Sequence, residues 1–340
     1  MEHILSIETS CDDTSVAIID KNREVLCCLV ASQDLVHQPF GGVVPEIASR
    51  NHTAHILPLV DEALKVSGLG WDDISGLAVT NRPGLVGSLI VGLVTVKSLA
   101  VAFKKPFLGV HHIEGHIMAP FLKDKNYAGA DFYEDPFVAL VVSGGHSNLY
   151  LVNGFGHYEK LGETIDDAAG EAFDKFAKML GLPYPGGVQV DRLASQGDPK
   201  SFQFPRPLMK EDHYNFSFSG LKSSAARMLE SMSDKEKEDR KADLCASYQQ
   251  AIVDVLAAKL DKAIKKTGVS AFVVTGGVSA NSGLRSAAEV IAKKTGTTLA
   301  LPPLRFCTDN AAMIGIVGLL RMQKGETSSH DLPPHPRAPL

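Results

Sequence analysis

Cysteine is scarce and unpatterned in this sequence: there are five residues, an odd number, with Cys27 and Cys28 adjacent and no Cys-x-x-Cys pair. That excludes a disulfide framework of the secreted type and a thiolate knuckle for a metal, and leaves buried thiols as the expectation. Positive charge is also in short supply. With 34 Lys and Arg against 39 Asp and Glu the net charge is -5, so nucleic acid would have to be held by a local basic patch or by helper subunits. No apolar run free of charge is long enough to cross a bilayer. The longest, residues 85–103, carries Lys97 and several small residues and is expected to form a buried helix in a protein with no membrane association. The chain opens without a basic segment followed by a cleavable apolar one, which makes the cytoplasm the expected compartment.

What is present is a globular balance of 44% hydrophobic and 21% charged residues over 340 positions, enough for two packed lobes of ordinary domain size. Three segments repeat one design, an apolar strand running into a loop of Gly, Ser, Thr or Asp and then into a second strand or a helix. The first runs from Ile4 through Glu8-Thr9-Ser10-Cys11-Asp12-Asp13 to Val16-Ala17-Ile18-Ile19, a hairpin with a polar tip. The second joins Phe137 to Val142 with Leu149 to Val152 through Ser143-Gly144-Gly145-His146-Ser147, and the third leads from Ala271 to Val274 through Thr275-Gly276-Gly277-Val278-Ser279-Ala280-Asn281 into a helix ending near Ile291. Helical patterns at 46–66 and 85–103 flank a strand at 76–80, which gives an α/β alternation. The expected division is an N-terminal lobe over 1–132, a second lobe over 133–327 with a mainly helical insertion at about 166–266, and an irregular Pro-rich tail over 328–340. Duplicated hairpin and Gly-Gly loops suggest two similar lobes facing a central cleft, the actin-like ATPase and sugar-kinase arrangement, with mixed sheets flanked by helices. There, backbone N–H groups of the loops hold anionic oxygens.

His112 and His116 stand four apart, so on a helix both imidazoles share one face and can grip one metal. An isolated H-x-x-x-H is more often the mark of ordinary core or surface histidines, and a third ligand changes that balance. The best third ligand lies far along the chain at Asp309, just ahead of an apolar helix, where its alternative role is that of an N-cap. Two imidazoles and a carboxylate leave coordination positions open and suit iron or zinc better than magnesium. A zincin needs a Glu directly after the first His, and Ile113 occupies that place, while Glu114 points away from the face the histidines share.

Together these segments resemble the tRNA threonylcarbamoyladenosine transferases, the TsaD family once called glycoproteases. The resemblance covers nearly the whole chain. It is carried by Ile7-Glu8-Thr9-Ser10-Cys11-Asp12, Pro45-Glu46-Ile47-Ala48-Ser49-Arg50, Pro83-Gly84-Leu85-Val86-Gly87-Ser88, the His112 to His116 motif and Val142-Ser143-Gly144-Gly145-His146. Further carriers are Ile165-Asp166-Asp167-Ala168-Ala169-Gly170-Glu171-Ala172-Phe173-Asp174, Tyr184-Pro185-Gly186-Gly187, Phe216-Ser217-Phe218-Ser219-Gly220-Leu221-Lys222, Gly276-Gly277-Val278-Ser279-Ala280-Asn281 and Thr308-Asp309-Asn310.

The resemblance implies an actin-like fold and one divalent metal, Fe²⁺ favoured with Zn²⁺ as the alternative, on His112, His116 and Asp309. It implies that Val141, Val142, Ser143, Gly144 and Gly145 contact the phosphate or acyl-adenylate part of the substrate, and that Asp174, Gly187, Asp191 and Asn281 line the nucleotide pocket. The bland roles of the last four are an ion pair with a helix neighbour, a turn, a cap and a helix N-cap. The implied reaction moves the threonylcarbamoyl group from threonylcarbamoyl-AMP, whose site ATP, ADP or AMP also fits, to the N6 amine of the adenosine just 3′ of the anticodon in tRNAs reading codons that begin with A. AMP is released, and Asp12 or Asp13 is the candidate to orient or deprotonate the amine. The implied partners are the tRNA anticodon stem-loop, a TsaB-like paralogue and a TsaE-like small ATPase, with no DNA. Lys222, Arg227, Arg285 and Arg305 are candidate contacts to RNA whose bland role is solubility.

Three positions depart from the family pattern. Asp12-Asp13 replaces Asp-Glu, Asn81-Arg82 precedes the Pro-Gly turn in place of small residues, and Val141 stands where archaeal relatives carry a metal-binding tyrosine, so three protein ligands are counted. The alternatives are a small-molecule kinase of the same fold, which has no use for a His-His-Asp site, a non-catalytic scaffold, and a metalloprotease.

Overall fold

Short runs of Val, Ile, Leu and Ala form the strands on which two separate cores are built. The computed structural model describes all 340 residues, which divide into one unit of residues 1–131 with 302–340 and another of residues 132–301.

In the first unit, β1 (His3–Glu8), β2 (Thr14–Asp20) and β3 (Val25–Ala31) make an antiparallel meander. After α1 (Asp34–His37) and α2 (Pro45–Ser67) come β4 (Gly76–Arg82), α3 (Val86–Phe103), β5 (Phe107–His111) and α4 (His112–Met118). The strand order is β3-β2-β1-β4-β5, with β1 parallel to β4 and β4 parallel to β5. Both β1 and β4 are buried along almost their whole length, which is why their sequences read as continuous apolar runs and not as alternating ones.

The second unit repeats the plan. It contains β6 (Pro136–Val142), β7 (Ser147–Asn153) and β8 (Tyr158–Glu163), then α5 (Ala169–Met179), α6 (Gly186–Ala194), α7 (Ser219–Glu230), α8 (Asp234–Asp239) and α9 (Lys241–Thr267). β9 (Ala271–Thr275), α10 (Ser282–Thr295) and β10 (Thr298–Ala300) complete it. Its order, β10-β9-β6-β7-β8, has the same strand directions as the first sheet. The duplication therefore extends to topology, and it sorts the three sequence repeats: the first two are equivalent hairpin tips, while the third, after β9, corresponds to the turn between β4 and α3. Gly276 at this third loop has φ +90°, and a Cβ there would sit 2.4 Å from Val142 O, so only glycine fits.

The chain then returns to the first unit. α11 (Ala311–Gln323) packs on β1, β2, β4 and α4. Residues 302–327, expected in the second lobe, thus belong with the first. A Cβ built on Gly318 would lie 2.5 Å from Ala78 Cβ, so this helix meets the sheet at a distance only a glycine allows. The segment from Ser328 onward forms no helix or strand and is laid against β4, β5 and α3, with Ser328 N–H donating to Phe107 O (2.8 Å), Lys97 Nζ to Leu332 O (2.6 Å) and His335 N–H to Asn81 O (2.8 Å).

The expectation of a buried helix at 85–103 needs correction. α3 is long and apolar enough to cross a membrane, yet only 33% of it is buried. One side packs on β4 and α2, and the other presents Val86, Ile90, Val94 and Val101 at 44–65% exposure. A sheet covers only one side of a helix.

Candidate metal centre and nucleotide loops

β5 delivers the chain to α4 at His111, whose side chain accepts the Ile113 N–H (3.1 Å) and so caps the helix from its own start. Every residue of α4 is buried, and within it His112 and His116 lie one turn apart with ring centroids separated by 4.6 Å. Asp309 arrives from the other end of the chain. Its Oδ1 lies 3.5 Å from His112 Nε2 and 3.2 Å from His116 Nε2, and the three ligand atoms all fall within 4.8 Å of one another.

The alternative role for Asp309 is absent, because the N-cap of α11 is Asn310, whose side chain accepts the Met313 N–H (3.0 Å) and donates to Thr308 O (2.8 Å). The helix start is pinned further by the hydroxyls of β1 and β2: Ser6 Oγ donates to Ala311 O (2.7 Å) and Ser15 Oγ accepts from Ala311 N–H (2.9 Å). Asp309 is therefore set by a fixed turn and faces the histidines. Glu114 does point the other way, buried and held by Arg321 at 2.7–3.2 Å.

Sequence reasoning missed Glu8. This carboxylate is completely buried, and its Oε2 accepts from His112 Nδ1 (3.1 Å) and from the Thr80 hydroxyl (2.5 Å), while Oε1 accepts the Ser10 N–H (2.5 Å). The available signal was an acid closing an otherwise apolar strand. Burial disfavours an imidazolium at His112, but the carboxylates of Asp309 and Glu8 outweigh it and lift this histidine to about 9. At His116 burial prevails and the pKa is lowered. Two acids around two imidazoles make a pocket that favours positive charge, and both Nε2 atoms are directed at one carboxylate oxygen. The residues fit a divalent ion of intermediate softness.

Asp12 and Asp13 sit at the tip of the β1–β2 hairpin, partly buried. Burial raises both carboxyls, and Asp13, facing in addition the negative charges of Asp12, Asp309 and Asp34, is pushed up to about 7. His52 braces this tip from α2, with Nδ1 2.8 Å from Thr14 Oγ1 and Nε2 3.0 Å from Cys11 O.

The other sequence-identified residues belong to the second unit. Val141 and Val142 are wholly buried in β6, so their side chains are core and only their backbone is available to a ligand. Ser143 N–H donates to His146 O (2.8 Å), closing a turn whose tip is the exposed pair Gly144 and Gly145; a Cβ on either would meet nothing within 4 Å. Asp174 accepts the N–H groups of Gly186 (2.8 Å) and Gly187 (3.2 Å) at the start of α6. Asn281 caps α10 through Leu284 N–H (3.0 Å) and donates to Gln249 (2.7 Å), and Asp191 binds the Ser282 N–H and hydroxyl beside it. The structure thus couples Asp174 to Gly187 and Asp191 to the Asn281 turn. Of the basic residues, Lys222 pairs with Asp167 (2.7 Å), Arg305 with Asp124, and Arg285 donates to Ser279 O (3.1 Å).

Residues 24–316 match the family model of tRNA N6-adenosine threonylcarbamoyltransferase, TsaD. The enzyme of that name from Bdellovibrio bacteriovorus is 57% identical over 338 residues, 99% of this chain and 98% of its own, and that of Pelobacter propionicus is 49% identical over 325 residues, covering 96% and 94%. Among solved structures, HypF of T. kodakarensis superposes with a TM-score of 0.61 at 13% identity, over 95% of this chain and 48% of its own. Component A of (R)-2-hydroxyglutaryl-CoA dehydratase from Acidaminococcus fermentans gives 0.54 at 13% identity, over 95% and 100%. At such identities these show the fold alone, which is that of the actin-like ATPases. The relatives favour neither a kinase nor a metalloprotease. By its motifs, its duplicated topology and these matches, the chain belongs to the family of tRNA N6-adenosine threonylcarbamoyltransferases, acyltransferases that modify tRNA.

Proposed function

We propose that His112, His116 and Asp309 hold one divalent metal, Fe²⁺ with Zn²⁺ as the alternative, for transfer of threonylcarbamoyl from threonylcarbamoyl-AMP to the adenosine 3′ of the anticodon. The observation that supports this is the convergence of both Nε2 atoms on one Asp309 oxygen across about 200 residues of chain. When bound, the metal supplies a Lewis acid for an acyl or phosphate oxygen.

The protein's own groups have separate tasks. Asp13, with its carboxyl near neutrality, is suited to take a proton from the attacking amine, while Asp12 orients it. In the second unit the Gly144 and Gly145 N–H groups are proposed to hold phosphate oxygens, since the Ser143 N–H is occupied by His146 O. Asp174, Gly187, Asp191 and Asn281 are proposed to hold the adenylate through the turns they fix. The family resemblance supports an anticodon stem-loop as the RNA element, TsaB-like and TsaE-like partners, and a cytoplasmic setting. Recognition of an unstacked base in a single-stranded loop agrees with a chain whose net charge is negative.

Substituting His116→Ala tests the centre. Metal content by plasma mass spectrometry is expected to fall to background, and threonylcarbamoyl-adenosine in digested tRNA to fall about 100-fold or more. Native metal content with native transfer would remove the proposal.

A further inference from the structure

We infer that Glu8 is a positioning residue of the metal centre: its carboxylate takes the Nδ1–H of His112 and thereby presents Nε2, turned to Asp309, as the nitrogen for ligation. The inference rests on the reading of His112, His116 and Asp309 as metal ligands. A histidine can bind through either nitrogen, and which one is bare is decided by the hydrogen bond that the other makes. Here His112 Nδ1 has Glu8 Oε2 and Ser10 Oγ as neighbours, each at 3.1 Å. A carboxylate only accepts, so it commits Nδ1 to carry the proton, whereas a serine hydroxyl would allow either state.

Glu8 is also held still. Three donors converge on its two oxygens: the Ser10 backbone from its own hairpin, the Thr80 hydroxyl from β4, the parallel neighbour of its strand, and the His112 ring from α4. A fully buried acid at the end of an apolar strand has no packing advantage over Leu or Val. Glutamine is nearly isosteric but cannot serve all three donors, because one of its two terminal atoms is an NH₂. If the NH₂ faces Thr80 and His112, the hydroxyl can reverse, but His112 relieves the clash only by moving its proton to Nε2, the nitrogen that ligation needs bare. If it faces Ser10, two N–H groups oppose each other in a buried site.

The test measures Zn²⁺ binding to the purified full chain by competition with a chromophoric chelator, for wild type and Glu8→Gln, with far-ultraviolet circular dichroism to establish folding. The variant is expected to bind Zn²⁺ about 10- to 100-fold more weakly. Affinity within twofold of wild type overturns the inference while leaving the ligand assignment standing. Wild-type protein that takes up no Zn²⁺ overturns the ligand assignment, and this inference with it. Should Glu8→Gln fail to fold, long-range ¹H–¹⁵N spectra of Zn²⁺-loaded wild type decide: a protonated Nδ1 and ligated Nε2 at His112 is the expected result, and the reverse overturns it.

Discussion

At the scale of single residues, the hairpin tip sets stability against function. Asp13 is a carboxyl driven up to about 7 by burial and by three neighbouring acids, against an ordinary value near 4. Between those two values the folded protein binds a proton that the unfolded chain does not, so folding stability declines as pH rises from about 4 to about 7 and is level above it. Asp13→Asn removes that cost. In metal-free protein at pH 7.5 the variant is expected to be more stable by ~1–2 kcal/mol, well below the ~4 kcal/mol of the full shift because the group is partly solvated. The gain should shrink toward zero near pH 4, which denaturant melts at several pH values would read directly. Transfer to tRNA should fall at the same time. A gain over wild type at pH 7.5 no larger than that at pH 4 would contradict this. The residue scale is also where the sequence was most legible for the candidate ligands, since the helical spacing of His112 and His116 already placed the two rings side by side. It was least legible for Glu8, because hydrogen-bond partners 72 and 104 positions away are brought together only by strand pairing and the return from β5.

At the scale of elements, the proposed metal ligands ride on α4 and on the turn before α11, and an ion pair with a buried carboxylate ties those helices together. Arg321 of α11 grips both oxygens of Glu114, which is 1% exposed on α4, and also pairs with Glu326 (2.8 Å). Removing one partner of such a pair strands charge away from water, which is far costlier than losing a surface pair. Arg321→Ala is expected to lower stability by about 2–3 kcal/mol, below the ~3–5 kcal/mol of a fully buried pair because Arg321 retains some contact with water. Zn²⁺ affinity should also weaken as α4 loosens. Equilibrium denaturation checks the first and chelator competition the second; a change under about 0.5 kcal/mol would show that α4 is held by its packing alone. Strand and helix identities were readable from periodicity here, including the long helix now seen at Pro45–Ser67, because apolar runs and turn residues alternate cleanly. The exposed side of α3 was not, since composition cannot say how many sides of a helix have neighbours.

At the scale of the whole chain, the first unit is discontinuous and the second is not. Residues 132–301 hold a complete five-stranded sheet with a core of their own, from Val138 and Leu140 of β6 through Phe173 and Phe176 of α5 to Leu256 and Leu260 of α9. The first unit needs 302–340, because α11 covers β1 and β4 with side chains almost wholly withdrawn from water, including Met313, Ile314, Val317 and Leu319. The apolar run after Asp309 was expected to be a helix but gave no indication of which sheet it would cover, so the sequence boundary was placed at 327, whereas the chain returns to the first unit at Pro302. Two fragments follow from this asymmetry. Residues 132–301 expressed alone are expected to unfold in a single cooperative transition, as a continuous unit with its own core should. Residues 1–131 alone, lacking α11 and Asp309, are expected to show no cooperative transition and no high-affinity Zn²⁺ binding, and adding a synthetic segment 302–340 should restore some of both. Circular dichroism melts of the two fragments, with Zn²⁺ titration of the second, make the comparison; a cooperatively folded 1–131 fragment would mean that the closing helix is dispensable to the core that carries His112 and His116.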